Sequence, residues 1–223
     1  MWRILPLLLL VACSTSETPL SISAAESRGA TLLLEGRAAE AAELFAQAMN
    51  QDPRSSVAAF GAAEAAALLG DDHKAGLLLE HGLALMPRTL EGLRFAGGAL
   101  LYVAEHTRLP SRRRQRALVA WDYLSRASRP EVGGDFLLSG RAALLCGEAR
   151  KAEAPLLASW RIAPSIESLR ALDACWHALG VPDTLPKFLS AEQKAGVLTP
   201  VLAARIAAAQ DLKPYLPPET PAR

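Results

Sequence analysis

Histidine and cysteine are the side chains that most often catalyse reactions or bind metals, and this chain of 223 residues has four His and three Cys. Cys175 and His177 stand close together in a predicted helix, but a structural zinc site uses four ligands. The sequence has no Gly-rich phosphate loop, no Gly-x-Ser-x-Gly elbow and no His-Glu-x-x-His motif. We therefore expect no metal site, no cofactor, no small-molecule substrate and no enzymatic activity.

Cys13 is the residue with the most specific chemical context. The chain begins with one basic residue, Arg3, followed by an apolar run from Ile4 to Ala12, which is too short to cross about 30 Å of bilayer hydrocarbon. The sequence Leu-Val-Ala-Cys that ends at Cys13 resembles the lipobox of bacterial lipoproteins. The resemblance implies that residues 1–12 are a lipoprotein signal peptide, and that Cys13 carries a diacylglycerol and an N-acyl lipid.

The residues after Cys13 predict where the lipid would hold the protein. Ser14 is similar to the residue found there in lipoproteins directed to the outer membrane, so the resemblance implies an outer-membrane, periplasm-facing lipoprotein of a diderm bacterium. Residues 13–22 are mostly polar and predict a flexible tether. Residues 214–223 contain four prolines and predict a disordered tail. Cys146 and Cys175 would then remain as a disulfide or as two buried thiols, and the thiols are favoured.

Composition points to a helical protein without a nucleic-acid partner. Hydrophobic residues make up 51% of the chain but aromatic residues only 5%, and the apolar residues are mostly Ala and Leu, which favour helix. The net charge is +1, which argues against nucleic-acid binding through bulk positive charge.

A pattern of glycine, small, large and proline residues recurs every 34 residues. Its members are Gly36, Ala41, Phe45, Ala48 and Pro53, then Gly70, Ala75, Leu79, Gly82 and Pro87, with a later copy at Gly147, Ala152, Leu156, Ser159 and Pro164. The pattern resembles the tetratricopeptide repeat, in which Gly forms the turn between two helices. Small residues there let the helices approach, a large residue fills the gap, and Pro ends the unit.

The resemblance predicts an all-α solenoid of about four to five antiparallel helix pairs over residues 23–213. A third copy, with Gly97 and Leu124, has a hairpin turn that we expect to be stretched by about eight residues, from His106 to Arg113. Ser190 looks like the start of a helix, and Thr199 with Pro200 predicts a C-terminal capping helix. The predicted repeats are 22–55, 56–89, 90–132, 133–166 and a degenerate 167–213.

The resemblance also implies a groove for protein segments, lined by the first helix of each repeat. Transferring the groove positions to this sequence gives five candidate binding residues: Phe60, Glu64, Arg94, Tyr102 and Arg141. A separate cluster of arginines starts the second helix of the third repeat, where positive charge opposes the helix dipole and favours an acidic partner or a lipid headgroup. That basic patch consists of Arg112, Arg113, Arg114 and Arg116.

Size, lipid anchor and repeat type together are similar to the pilotins of type IV and Tad (Flp) pilus systems. This resemblance implies an adaptor that binds a protein partner such as a secretin subunit and assists its assembly at the outer membrane. The alternative is an envelope scaffold for peptidoglycan-remodelling enzymes or for outer-membrane barrel assembly.

Overall fold

The computed structural model describes residues 21–209 and 211–212, which form eleven α-helices. Residues 1–12, Cys13, most of the tether and the proline-rich tail lie outside the described residues. None of the described helices is long and apolar enough to cross a membrane. The helices are α1 Ile22–Leu34, α2 Ala38–Gln51, α3 Ser56–Leu68, α4 Asp72–Leu85, α5 Leu90–His106, α6 Pro110–Ala127, α7 Gly133–Leu145, α8 Ala149–Ile162, α9 Ile166–Ala178, α10 Thr184–Lys194 and α11 Pro200–Ala208.

The helices pack in sequential pairs, and the first helices of successive pairs also contact each other. α1 packs on α2, α3 on α4, α5 on α6 and α7 on α8, while α3, α5, α7 and α9 contact side by side in that order. This arrangement is a helical solenoid, as the repeat pattern predicts. Gly36, Gly70 and Gly147 have φ values of 75°, 80° and 88°, so each forms the left-handed turn that joins two helices of a pair.

Close helix contacts depend on the large and small residues of the repeat. The Phe45 ring of α2 lies against Gly29 of α1 and Gly61 of α3, where an added Cβ would come within 2.8 Å and 2.3 Å of the ring. Leu156 of α8 lies in the same way against Gly140 of α7. The small positions therefore admit a large side chain from the neighbouring helix, and this contact builds the core along the array.

The third repeat differs from the expected geometry. The sequence predicts a wide turn from His106 to Arg113, but the turn is only three residues long, between His106 and Pro110. The additional residues instead extend both helices, to 17 residues in α5 and 18 in α6, against 13 and 14 in the first pair. Pro110 permits this, because proline at the first position of a helix loses no helical hydrogen bond.

The C-terminal part closes the array with two further helices. The Thr199 side chain accepts a hydrogen bond from the Leu202 amide at the start of α11, as the sequence predicts. The prediction of a helix start at Ser190 is wrong, because α10 begins at Thr184 and Ser190 lies inside it. Leu189 of α10 and Leu202 and Ile206 of α11 are buried in the same apolar cluster as the side chains of α9. α10 and α11 therefore cover the outer face of α9.

Candidate protein-binding groove

An open groove crosses three first helices, α5, α7 and α9. Its volume is about 540 Å³, and its lining combines apolar and charged side chains. The apolar lining residues are Leu144, Leu145, Ala171 and Ala174, and the charged ones are Glu105, Arg141, Glu167 and Arg170. Concave surfaces with an apolar lining and a few charged groups are the usual form of a binding site.

Arg141 is fixed in this groove by an ion pair with the neighbouring repeat. Its Nη2 donates a hydrogen bond of 2.6 Å to Oε1 of Glu105, which connects α7 to α5. Both side chains remain partly exposed, so the pair contributes about 1 kcal/mol at most to stability. A guanidinium has five N–H donors, and the contact with Glu105 uses a minority of them. Arg141 is therefore positioned to donate to a ligand as well.

A second ion pair holds Arg170 of the groove lining. Arg170 of α9 donates to both carboxylate oxygens of Asp211, at 2.7 Å from Nε and 2.9 Å from Nη2. These hydrogen bonds lower the pKa of Asp211. The pair is half-exposed and holds the last described residues of the chain beside α9.

Glu64 and Tyr102 extend the charged region towards the second repeat. Tyr102 lies one helical turn before Glu105 on α5, and its ring packs on His106 with centroids 4.7 Å apart. Burial raises the pKa of Tyr102, and the negative charges of Glu64 and Glu105 raise it further. Burial also raises the pKa of Glu64 to about 7. This carboxyl therefore changes charge near neutral pH.

Of the five candidate groove residues, Arg141 lines the groove, Glu64 and Tyr102 lie outside its lining, and Phe60 and Arg94 have other positions in the structure. Phe60 is 0% exposed, since α3 is enclosed by α1, α2, α4 and α5, and its ring packs against Gly82 and makes an edge contact with Phe95. Phe60 is therefore a core residue, which corrects its assignment to the groove surface. Arg94 donates from Nη1 to the carbonyl oxygen of Ala127 at 3.0 Å, so its guanidinium caps the end of α6 outside the groove.

Sequence reasoning did not identify Glu105, Arg170, Ala171 and Ala174 as groove residues. The signal for Glu105 is its spacing, because it stands one turn after Tyr102 on the same helix face. Arg170, Ala171 and Ala174 lie on α9, beyond the last copy in which the repeat pattern is clear. Only the packing of α9 beside α7 shows that the groove continues there.

The basic patch is divided between internal and exposed arginines. Arg113 donates to the carbonyl oxygen of Thr107 at 2.9 Å from Nε and 2.7 Å from Nη2. Arg116 donates to the Thr107 hydroxyl and lies 3.8 Å from the Asp72 carboxylate, and burial lowers its pKa. Arg112 and Arg114 are exposed. Two arginines of the patch therefore connect helix ends within the chain, although the sequence suggested an external partner for all four.

The remaining chemistry-bearing residues show no catalytic arrangement within the described part of the chain. Cys146 and Cys175 are buried free thiols, and burial raises the pKa of Cys175 to about 11. Each donates to a backbone carbonyl, Cys146 to Ala143 and Cys175 to Ala149. Within residues 21–209 and 211–212, no three His, Cys, Asp or Glu side chains come together as metal ligands.

Comparison with known proteins identifies the fold. No protein-family model and no curated protein matches the chain. Among solved structures, the thermophilic TPR protein TTC0263 of Thermus thermophilus is 23% identical with a TM-score of 0.59, over 86% of this chain and 100% of that chain. MamA of MSR-1 is 18% identical with a TM-score of 0.54, over 80% and 98%. MamA 41-end from Desulfovibrio magneticus RS-1 is 17% identical with a TM-score of 0.53, over 85% and 97%. The chain therefore has the fold of a tetratricopeptide-repeat α-solenoid.

Proposed function

We propose that this protein is a non-catalytic adaptor that holds a segment of a partner protein in the groove across α5, α7 and α9. The observation that carries the proposal is the composition of that groove. Four apolar side chains form its lining, and carboxylates and guanidinium groups stand beside them. A partner segment with apolar side chains on one face and charged residues of both signs beside them would match this surface.

We propose further that the adaptor is lipid-anchored through Cys13 at the outer membrane and acts as a pilotin-like factor for a secretin subunit. The support for this part is the sequence that ends at Cys13, together with the size and the repeat type of the chain. A lipid anchor would keep the bound segment at the membrane and so raise its effective concentration at the site of assembly.

The groove proposal is tested by photocrosslinking in intact cells. A photoreactive amino acid at Ala174, in the groove, should capture a protein partner that mass spectrometry then identifies. The matched control is the same amino acid at Leu118, a half-exposed residue of α6 outside the groove lining. Equal capture at both positions would contradict the groove as the binding site.

The identity of the captured protein tests the narrower assignment. Capture of a secretin supports the pilotin-like role. Capture of peptidoglycan-remodelling enzymes or of barrel-assembly proteins contradicts it and supports the envelope scaffold. Arg141→Gln should reduce capture at Ala174 by tenfold or more, as expected for the loss of a charge-assisted hydrogen bond worth about 1.5–3 kcal/mol.

Lipid attachment has its own test. Cys13→Ser removes the thiol that would accept the diacylglycerol, so we expect the variant to lose the lipid mass and to leave the membrane fraction. Mass spectrometry of the N-terminal peptide and membrane fractionation measure both effects. An unchanged peptide mass in the wild-type protein would exclude lipidation whatever the binding groove does.

A further inference from the structure

The turns that join the two helices of the first three repeats lie along one edge of the solenoid, which we call the turn edge. Gly36 and Arg37 of the first turn line the same cavity as Leu68 and Leu69 of the second. The Arg108 amide of the third turn donates to Asp72 Oδ2 at 3.2 Å, directly after the second turn. The three turns are therefore neighbours in space.

Each of these turns exposes a leucine. Leu34 is 91% exposed, Leu69 is 56% exposed and Leu109 is 48% exposed. Single exposed apolar residues are common on protein surfaces, but here one lies in or beside each of three neighbouring turns. Leu34 is the last residue of α1, Leu69 is the C-cap of α3 and Leu109 is the N-cap of α6. Neighbouring helices are about 8–10 Å apart, so the leucines form a row rather than a compact patch.

Arginines surround the row at its third turn. Residues 107–116 contain five arginines and no acidic residue. Arg113 and Arg116 bind Thr107, whereas Arg108, Arg112 and Arg114 are exposed and make no ion pair within the described part of the chain.

Most acidic groups near the turn edge have a partner within the chain, and Asp71 of the second turn accepts the Lys74 amide without an ion pair among the described residues. Asp72 accepts the Arg108 amide and faces Arg116. Glu35 and Glu40 both bind Arg37. The excess positive charge of this edge therefore lies at the third turn, beside Leu109.

We propose that the turn edge lies on an anionic lipid surface, with the leucines in the interface and the exposed arginines on lipid phosphates. Separate leucines along an edge require no matching surface in fluid lipid, whereas a protein partner would have to present an apolar contact to each of them. Leucines combined with unpaired arginines are the composition that favours anionic membranes. The proposal does not depend on the groove or on lipidation of Cys13.

The turn edge and the start of α1 lie on opposite edges of the solenoid, so a lipid contact at the turn edge is distinct from anchoring through the N-terminus. α1 is 13 residues long, about 20 Å, and its N-terminus lies at the edge opposite to Leu34. The Ser55 hydroxyl at the start of α3 donates to Glu26 near the start of α1, so the N-termini of the first helices share this opposite edge. Leu90, which is 59% exposed at the start of α5, lies on this opposite edge. Leu90 therefore lies on the edge that holds the start of α1, and Leu109 lies on the edge farther from it.

The experiment uses the full chain with Cys13→Ser and one added cysteine, either Leu109→Cys or Leu90→Cys, labelled with a polarity-sensitive fluorophore. Cys146 and Cys175 are buried and serve as the unlabelled background. The probes are vesicles of phosphatidylcholine alone and of phosphatidylcholine with phosphatidylglycerol in equal parts. We expect a blue shift of the label at position 109 on the anionic vesicles, and a much smaller shift at position 90.

Charge variants supply the second measurement. Arg112→Gln with Arg114→Gln should weaken binding to the anionic vesicles by about 25-fold, since one arginine near an anionic surface contributes about fivefold. The matched control is Arg54→Gln with Arg88→Gln, two exposed arginines in loops of the opposite edge, which should leave binding unchanged. A shift at position 90 without one at 109, or equal losses in both charge variants, would overturn the proposal. An acidic protein would then be the remaining partner for the basic patch.

Discussion

At the scale of single residues, Glu64 has a carboxyl whose ionisation opposes folding. Its pKa is about 7 in the folded protein because burial disfavours the charged form, against 4.5 for an ordinary glutamate. Below pH 4.5 both the folded and the unfolded chain hold this proton. Between pH 4.5 and pH 7 the unfolded chain releases it first, so the contribution of Glu64 to stability falls as the pH rises.

Glu64→Gln should remove this pH dependence. Relative to the variant, we expect the wild-type protein to lose about 1–3 kcal/mol of unfolding free energy between pH 4.5 and pH 7.5. Urea denaturation at several pH values measures the difference. Glu43→Gln, at an exposed position of α2, is the matched control and should leave the pH profile unchanged. Parallel pH profiles for the wild type and the Glu64 variant would contradict the prediction.

At the scale of helices, a glycine on one helix matters where the adjacent helix inserts a ring. Gly61 and Gly98 both lie inside first helices, but an added Cβ meets the Phe45 ring at 2.3 Å in one case and nothing within 4 Å in the other. Gly61→Ala should destabilise the protein by about 1–3 kcal/mol through overpacking. Gly98→Ala should stabilise it by about 0.5–1 kcal/mol, because alanine favours helix. Chemical denaturation compares the two, and changes of the same sign would refute the proposed contact.

The third repeat shows the limit of element prediction. Gly97 and Leu124 meet as the repeat pattern predicts, since an added Cβ on Gly97 would lie 2.7 Å from Leu124 Cγ. The pattern predicts the extra residues between them in a turn, but they lie in helices. A spacing pattern shows that residues are inserted, but it does not show whether they lengthen the turn or the helices. That depends on which contacts the added helical turns can make. Here Arg116 in the added part of α6 reaches Asp72 of α4.

At the scale of the whole molecule, each helix pair contacts mainly its neighbours in sequence. Stability in such arrays is a sum of repeat and neighbour contributions, so the ends open more readily than the centre. We expect amide hydrogen exchange in α1 and α11 to be at least about 30-fold faster than in α5 to α7, which corresponds to about 2 kcal/mol.

Cavity variants provide the control for this gradient. Leu124→Ala in α6 should cost about 2–4 kcal/mol and reduce protection on both sides of the third repeat. Leu202→Ala in α11 should reduce protection mainly in α9 to α11, where its side chain packs. Equal loss of protection throughout the chain in both variants would instead show that the array unfolds as one unit.

The order of residues along the chain determines four features: the helical class, the repeat length, the turn glycines and the large residues between helices. These features are local, because a turn, a helix start or a close contact between paired helices needs only residues a few positions apart or one repeat apart. Gly36, Phe45 and Thr199 therefore have the roles that their spacing predicts.

Which side of each helix reaches solvent depends instead on how the helices pack. Glu64 and Arg141 occupy matching positions in the pattern, yet burial raises the pKa of Glu64 to about 7, whereas the Arg141 side chain is 39% exposed beside Glu105. Arg94 and Arg113 donate to carbonyl oxygens at helix ends, and the pattern of charges along the sequence does not predict these contacts. The physical reason is that exposure depends on every neighbour packed around a helix, including helices such as α9 that lie beyond the recognisable repeats.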